Sequence, residues 1–161
     1  MREHPDGAAD LIRRAIAAEA AGDAAFELDE AAGLDPAAIA AAIAAVTTRI
    51  RLVVAVPTAG QEPYHLARRL ASLAHMSGGR VAWRPVVSAD EAASGRAAEF
   101  IDVVRGLWTS WEDGALLRDK EAGVYMDRTR VRFLDHAGSH FKVRGPLNIT
   151  AGPGGVAPEI V

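Results

Sequence analysis

The sequence of 161 residues contains no cysteine, so it can form neither a disulfide nor a thiolate metal site. It also lacks an excess of charge of one sign, because 18 basic and 21 acidic residues are mixed along the chain and leave a net charge of −3. Proteins that bind nucleic acid or anionic membranes carry basic patches, and this sequence has none. We therefore expect neither nucleic acid nor a membrane among its partners.

Long apolar runs and targeting signals are missing as well. No stretch of about 18 residues is free of charges and turn residues, so the sequence predicts no membrane-spanning helix. The N-terminus carries Arg2, Glu3 and Asp6 and has no apolar segment of signal-peptide length. These absences predict a cytoplasmic protein, and the length predicts a single domain over residues 1–161.

The histidines and glycines form no recognisable site. His136 and His140 are four residues apart, but they are predicted to lie in a turn, where this spacing does not bring two imidazoles to one metal ion. The glycines at 152–155 are not followed by a helix, which a dinucleotide-binding loop requires. We therefore expect no metal site and no Rossmann-type nucleotide site.

One complete strand–helix–strand pattern lies in residues 52–83. The β-branched run at 52–56 predicts a strand buried on both faces, and the turn residues at 57–60 end it. Pro63 suits the first turn of a helix, and an apolar stripe at spacings of three and four follows it, formed by Leu66, Leu70, Leu73 and Met76. Two strands joined through a helix are expected to be parallel.

The same alternation extends along most of the chain and predicts an α/β fold with a parallel sheet. The predicted helices lie near 8–21, 36–46, 63–76 and 90–109. The predicted strands lie near 24–29, 50–56 and 80–87. From 114 to 150 the periodicity fades, and short strands around a turn at 135–138 predict a hairpin-like insertion, after which a further strand begins near 157.

Trp108 and Trp111 lie at the end of the last predicted helix and just beyond it, and they have two interpretations. Their indole rings could form a stacking platform for a ligand. They could also pack over the helix end as ordinary core and rim aromatics, and we favour this second interpretation because it is the commoner fate of such residues.

Three parts of the chain carry strings of mixed chemistry that generic helix or strand patterns do not produce. They are Glu62-Pro63-Tyr64 with Ser77-Gly78-Gly79-Arg80, Glu99-Phe100 with the tryptophan-rich stretch 106–113, and Phe141-Lys142-Val143-Arg144-Gly145-Pro146-Leu147-Asn148. Together they resemble the luciferase-like flavin monooxygenases, especially the branch of nitrilotriacetate monooxygenase and dibenzothiophene-sulfone monooxygenase. The resemblance covers residues 8–161. A whole family member is more than twice as long.

The resemblance implies a TIM-type (β/α)8 barrel, of which this sequence would hold strands two to five. The first strand would precede the helix at Ala8, and the remaining strands would follow Val161. An arc of four strands cannot close on itself. The resemblance therefore implies a homo-oligomer or a complementing chain that covers the open edges, with a fragment of marginal stability as the alternative.

The resemblance further implies the chemistry of the protein. Family members use reduced FMN, delivered by a separate flavin reductase, to oxidise a small organic substrate with O2. Asp29 stands where the family places an acid near the flavin, at the end of the second barrel strand (here the strand predicted near 24–29). Thr58 takes the family's hydroxyl position after the third barrel strand (here the strand predicted near 50–56). On the residues alone, Asp29 could instead begin and cap a loop, and Thr58 could be ordinary turn chemistry.

The chain also departs from the family pattern. Where the family has Trp-Asn-Val-Val-Thr-Ser in its fourth strand, this sequence has Trp83-Arg84-Pro85-Val86-Val87-Ser88, so the asparagine and the threonine are lost. Asp90 and Ser94 stand where the family has a histidine and a tyrosine that contact flavin. Two functions therefore remain open: a truncated two-component monooxygenase, or a non-catalytic remnant that has lost flavin binding and serves at most as a scaffold or interaction protein.

Overall fold

A computed structural model describes residues 7–30 and 33–161, which form helices, a parallel sheet and two small hairpins. The helices are α1 (Ala8–Ala21), α2 (Pro36–Ala44), α3 (Pro63–Ser77), α4 (Ala89–Ser94) and α5 (Arg96–Trp108). The strands are β1 (Ala25–Leu28), β2 (Arg51–Pro57), β3 (Val81–Val86), β4 (Leu116–Asp119), β5 (Val124–Met126), β6 (His136–Ala137), β7 (Lys142–Val143) and β8 (Glu159–Ile160).

The main sheet has the strand order β1-β2-β3-β8, and every neighbouring pair is parallel. The parallel pairing of β2 with β3 confirms the strand–helix–strand prediction for residues 52–83. β8 begins two residues after the predicted position and adds a fourth strand beside β3. The sheet is an open arc of four strands, as the resemblance to part of a barrel implies.

The helices cover one face of the sheet, and the strands bury alternate side chains against them. Leu28, Leu52, Val54 and Trp83 are at most 1% exposed on this face. The opposite face of the sheet, which we call the inner face, carries charged side chains beside apolar ones such as Val53, Ala55 and Val86. On the inner face Arg84 pairs with Glu27, and Arg51 lies 2.6 Å from Glu159.

The apolar stripe of α3 differs from the prediction at one position. Leu66, Leu70 and Leu73 are buried, but Met76 is 63% exposed and Ser77 is buried in its place. The helical repeat of 3.6 residues explains this, because positions 66, 70 and 73 lead to 77 rather than 76 on the same face. Met76 therefore does not belong to the core.

The long helix predicted at 90–109 is in fact two helices, α4 and α5. Gly95 lies between them with a φ of +75°, a left-handed conformation that ends α4 and that glycine adopts without strain. Since the apolar periodicity continues across Gly95, the pattern did not reveal the break.

The insertion consists of two antiparallel hairpins, β4–β5 and β6–β7. The predicted turn at 135–138 is displaced, because His136 and Ala137 form β6 and the turn lies at 138–141. The Gly138 N–H donates to the Phe141 carbonyl across this turn at 3.0 Å. The hairpin-like insertion itself is confirmed.

Four aromatic residues form a cluster on the helix-covered face of the sheet. Trp83 packs against Phe100 and Trp108, with ring centroids 6.2 Å apart in both pairs, and Phe141 of the insertion packs on Phe100. The indole N–H of Trp108 donates to the Ala67 carbonyl, and that of Trp111 donates to the Leu147 carbonyl. The interpretation of both tryptophans as core and rim aromatics is confirmed.

Candidate functional site

A pocket of about 480 Å³ lies where the carboxyl ends of β1, β2 and β3 meet. Its lining residues are Asp29, Glu30, Ala55, Pro57 and Val86. Ala55, Pro57 and Val86 supply an apolar wall from β2 and β3, and the two carboxylates stand at the end of β1. In parallel β/α folds the loops at this end of the strands build the active site, so this pocket is the candidate site.

Asp29 lies directly after β1 and is exposed at this pocket. Its position at the carboxyl end of a strand is as predicted, because β1 ends at Leu28. The alternation of side chains along β1 places Asp29 on the same face as Glu27, which is the inner face. The role of Asp29 in binding a cofactor stays a prediction.

Thr58 lies directly after β2, but its side chain is fully buried behind the wall of the pocket. Its N–H donates to the Val86 carbonyl at 3.0 Å, and its hydroxyl donates to the Glu91 carboxylate at 3.1 Å. The alternation along β2 turns Pro57 toward the pocket and Thr58 away from it. Direct contact of the Thr58 hydroxyl with a cofactor stays a prediction.

Glu91 is a buried carboxylate in the first turn of α4 that the sequence did not indicate as a site residue. The Ser88 hydroxyl caps α4 by accepting from the Glu91 N–H at 3.3 Å, and the Glu91 carboxylate accepts hydrogen bonds from the Thr58 hydroxyl and the Arg96 guanidinium. Burial raises the pKa of Glu91, and the hydrogen bonds from Thr58, Arg96 and Ser88 outweigh it and lower the pKa below 4.5. Glu91 is therefore ionised at neutral pH.

Arg84 lies on the inner face of the sheet, at the position where the resemblance placed an asparagine. Its Nε donates to Glu27 Oε1 at 2.8 Å, so the guanidinium reaches from β3 across β2 to β1. The small side chain of Ala55, which is paired with Arg84 in the sheet register, leaves room for this crossing. The sequence did not indicate this ion pair, because its partners are 57 residues apart.

Asp90 and Ser94 lie on α4, where the resemblance placed residues that contact flavin. Asp90 is exposed in the first turn, and the Ser94 hydroxyl donates to the Glu91 carbonyl at 3.2 Å. The insertion brings His140 to this helix, since its Nε2 lies 3.1 Å from the Ser94 carbonyl oxygen.

Glu99 on α5 anchors the turn of the second hairpin. Its carboxylate accepts from His136 Nε2 at 2.9 Å and from the backbone N–H groups of Phe141 and His140 at 2.8 and 3.0 Å. The hydrogen bond from His136, followed by those from the two N–H groups, lowers the pKa of Glu99 from 4.5 to about 2. Within residues 7–30 and 33–161, no group of three or more His, Asp or Glu residues is arranged to hold a metal ion.

Comparison with known proteins identifies the family. The profile of the luciferase-like monooxygenases matches residues 1–160. The chain belongs to this family. It is 45% identical over 137 residues to nitrilotriacetate monooxygenase component A of Aminobacter aminovorans, covering 76% of this chain and 30% of that protein.

Two further relatives place the chain in the same group. It is 40% identical over 136 residues to N-acetyl-S-(2-succino)cysteine monooxygenase of Bacillus subtilis, covering 75% of this chain and 31% of that protein. It is 39% identical over 140 residues to dibenzothiophene-sulfone monooxygenase of Rhodococcus erythropolis, covering 78% of this chain and 31% of that protein. The predicted branch is thereby confirmed.

The structural matches confirm the fold class. Riboflavin lyase, crystallised with modified FMN and riboflavin, matches with a TM-score of 0.82 at 33% identity over 96% of this chain and 42% of that chain. Long-chain alkane monooxygenase matches with a TM-score of 0.82 at 27% identity, covering 94% of this chain and 44% of that chain. The chain is thus part of a TIM-type barrel from a flavin-dependent family. It spans 30% to 31% of the length of the three curated relatives named here.

The pocket fits the isoalloxazine ring of FMN better than its phosphate. Its apolar wall suits a flat ring system, and a carboxylate such as Asp29 can accept a hydrogen bond from a ring N–H. A phosphate needs cationic or N–H donors, whereas the charged lining residues of this pocket are both acids. The described residues therefore fit the isoalloxazine ring and supply no phosphate site at this pocket.

The described part of the chain also contains no helix that is both long and apolar enough to cross a membrane.

Proposed function

We propose that the chain supplies part of a two-component monooxygenase that uses reduced FMN and O2 to oxidise a small organic substrate. A separate flavin reductase would deliver the reduced flavin, and we place both proteins in the cytoplasm. The observation that carries this proposal is the pocket at the carboxyl ends of β1–β3, with an apolar wall and Asp29 at its edge, in a chain of this family.

Each lining group has a role in this proposal. Ala55, Pro57 and Val86 would pack against the ring and keep water from that side of it. Asp29 would accept a hydrogen bond from a ring N–H and so orient the ring. Reduced flavin, when bound, supplies the reaction with O2, and the protein contributes position and exclusion of water.

The remaining barrel strands would complete the site. A homo-oligomer or a complementing chain would cover the inner face and supply the phosphate site that the pocket lacks. Thr58 belongs to the same site in this proposal, and its buried hydroxyl supports the loop that follows Pro57.

The second candidate is a non-catalytic relative that has lost flavin binding. Two observations favour it: Arg84 is paired with Glu27 where the family has an asparagine, and Asp90 and Ser94 replace a histidine and a tyrosine. A neutral hydrogen bond contributes only about 0.5–1.5 kcal/mol, so the loss of several weakens binding by about 3 kcal/mol, or about a hundredfold.

Flavin titration separates the two candidates. Oxidised FMN, and reduced FMN under anaerobic conditions, would be titrated into the 161-residue chain, with binding followed by fluorescence quenching and calorimetry. The monooxygenase proposal expects saturable binding that Asp29→Ala weakens about tenfold, by about 1.4 kcal/mol. Asp102→Asn, which removes an exposed carboxylate on α5, is the matched control and should bind as the wild type does.

No binding of either form of FMN at millimolar concentration would favour the non-catalytic candidate. If Asp29→Ala and the control bind FMN equally, the pocket at β1–β3 is not the flavin site and the proposed role of Asp29 fails.

A further inference from the structure

Glu91 is a buried carboxylate for which the proposed function has no direct use. It is 8% exposed and accepts hydrogen bonds from Thr58 Oγ1 at 3.1 Å and Ser88 Oγ at 3.2 Å. Its other oxygen, Oε1, pairs with the guanidinium of Arg96. A buried carboxylate is stable only when partners such as these are present. Through them Glu91 joins three segments of the chain, which carry Thr58, Ser88 and Arg96.

These contacts hold the end of β2 in place. Arg96 Nη1 also donates to the Thr58 carbonyl at 3.1 Å, while the Thr58 N–H donates to the Val86 carbonyl at 3.0 Å. All three polar groups of Thr58 are therefore held by other segments. Pro57, its direct neighbour, lines the candidate pocket, so a shift of Thr58 would move the pocket wall.

The β6–β7 hairpin also contacts Arg96, through the ring of Phe141. The guanidinium carbon of Arg96 lies 4.8 Å from the centre of the Phe141 ring, a cation–π distance. Phe141 is held in turn by its N–H, which donates to Glu99 at 2.8 Å. Arg96 is thus fixed between Phe141 and Glu91, and it links the turn at 138–141 to the end of β2.

We propose that Glu91 and Arg96 are positioning residues, which act through Thr58 to set the loop at 58–61 against the flavin pocket. Phe141 keeps Arg96 in place. The expected effect on flavin affinity rests on the proposed function, whereas the position of the loop is measurable without flavin.

A double-mutant cycle tests this inference. Glu91→Gln, Thr58→Val, the double variant and the control Asp102→Asn would be compared by hydrogen exchange of the amides at 58–61 and by FMN affinity. We expect each single variant to speed exchange and raise the Kd about tenfold, which corresponds to about 1.4 kcal/mol. Because Thr58→Val removes the hydroxyl that donates to Glu91, and Glu91→Gln replaces its charged acceptor by a weaker neutral one, both changes act on the same contact, and the double variant should show much less than a hundredfold.

Two conservative variants distinguish positioning from general support of the fold. Thr58→Ser keeps the hydroxyl and should restore exchange and affinity to near wild-type values. Arg96→Lys keeps the charge but offers a point-like donor to two acceptors, so it should speed exchange at 58–61 even if Glu91→Gln does not fold.

Unchanged exchange at 58–61 in Glu91→Gln and Arg96→Lys would overturn the positioning role, and so would fully additive effects in the double variant. If the wild type binds no FMN, the proposed function fails, and the exchange measurements still decide whether Glu91 and Arg96 position the loop.

Discussion

The carboxylate of Glu99 joins the inserted hairpin to α5 through three hydrogen bonds, from His136, His140 and Phe141. Its pKa of about 2 lies below the ordinary value of 4.5, so the folded state favours the ionised form. Such a group stabilises the fold fully above pH 4.5, and this contribution is lost as the pH falls toward 2.

Glu99→Gln should therefore be less stable than the wild type at neutral pH, and the difference should shrink between pH 4.5 and about 2. Urea unfolding at a series of pH values measures this difference. Glu121→Gln, an exposed residue in the turn between β4 and β5, is the control and should follow the wild type. A difference that stays constant down to pH 2 would contradict the low pKa of Glu99.

Arg80 connects three elements of the fold, at the opposite end of the sheet from the pocket. Its Nη2 donates to the carbonyls of Ala44, the last residue of α2, and of Thr47 beyond it, and Nη1 donates to the Ile50 carbonyl before β2. Its Nε donates to the Ser77 carbonyl at the end of α3. One planar guanidinium thus satisfies carbonyls that helix ends otherwise leave without a partner.

Arg80→Lys should lower the free energy of unfolding by at least about 2 kcal/mol, because an ammonium group cannot reach carbonyls in this fork geometry and leaves some unsatisfied. Chemical denaturation measures the change. Arg68→Lys, exposed on α3, is the matched control and should change stability by less than about 0.5 kcal/mol. Equal effects of the two variants would show that the carbonyl contacts of Arg80 contribute little.

The whole molecule is an open arc with β1 and β8 at its two edges. The backbone groups on the outer side of β1 have no sheet neighbour among the described residues, and the inner face exposes Val86, at 41% of its surface, beside its ion pairs. Such edges and faces favour pairing with another chain.

The 161-residue chain should therefore self-associate or bind a hydrophobic dye. Light scattering and dye fluorescence test this expectation. Ala25→Lys, which places a charge on the exposed edge strand β1, should reduce the association. A wild-type chain that is a stable monomer and binds no dye would argue against exposed edges.

Local patterns were sufficient to predict most elements of this fold and one residue of the candidate site. Apolar periodicity and turn residues predicted the alternation of helices with parallel strands, because both follow from which side chains must be buried on each element. The same alternation predicted Asp29 at the end of a strand, where the pocket lies. The specific strings near 62–80 and 141–148 indicated the family.

Tertiary structure alone decided how the polar residues pair. Thr58 is directed into a buried contact with Glu91, 33 residues away, and Arg84 is paired with Glu27, 57 residues away. Sequence periodicity reports which face of an element is apolar, but it carries no information about which distant polar groups meet once the elements pack. For that reason the sequence indicated where the pocket would lie, and only the folded chain decided which side chains face it and which support it from behind.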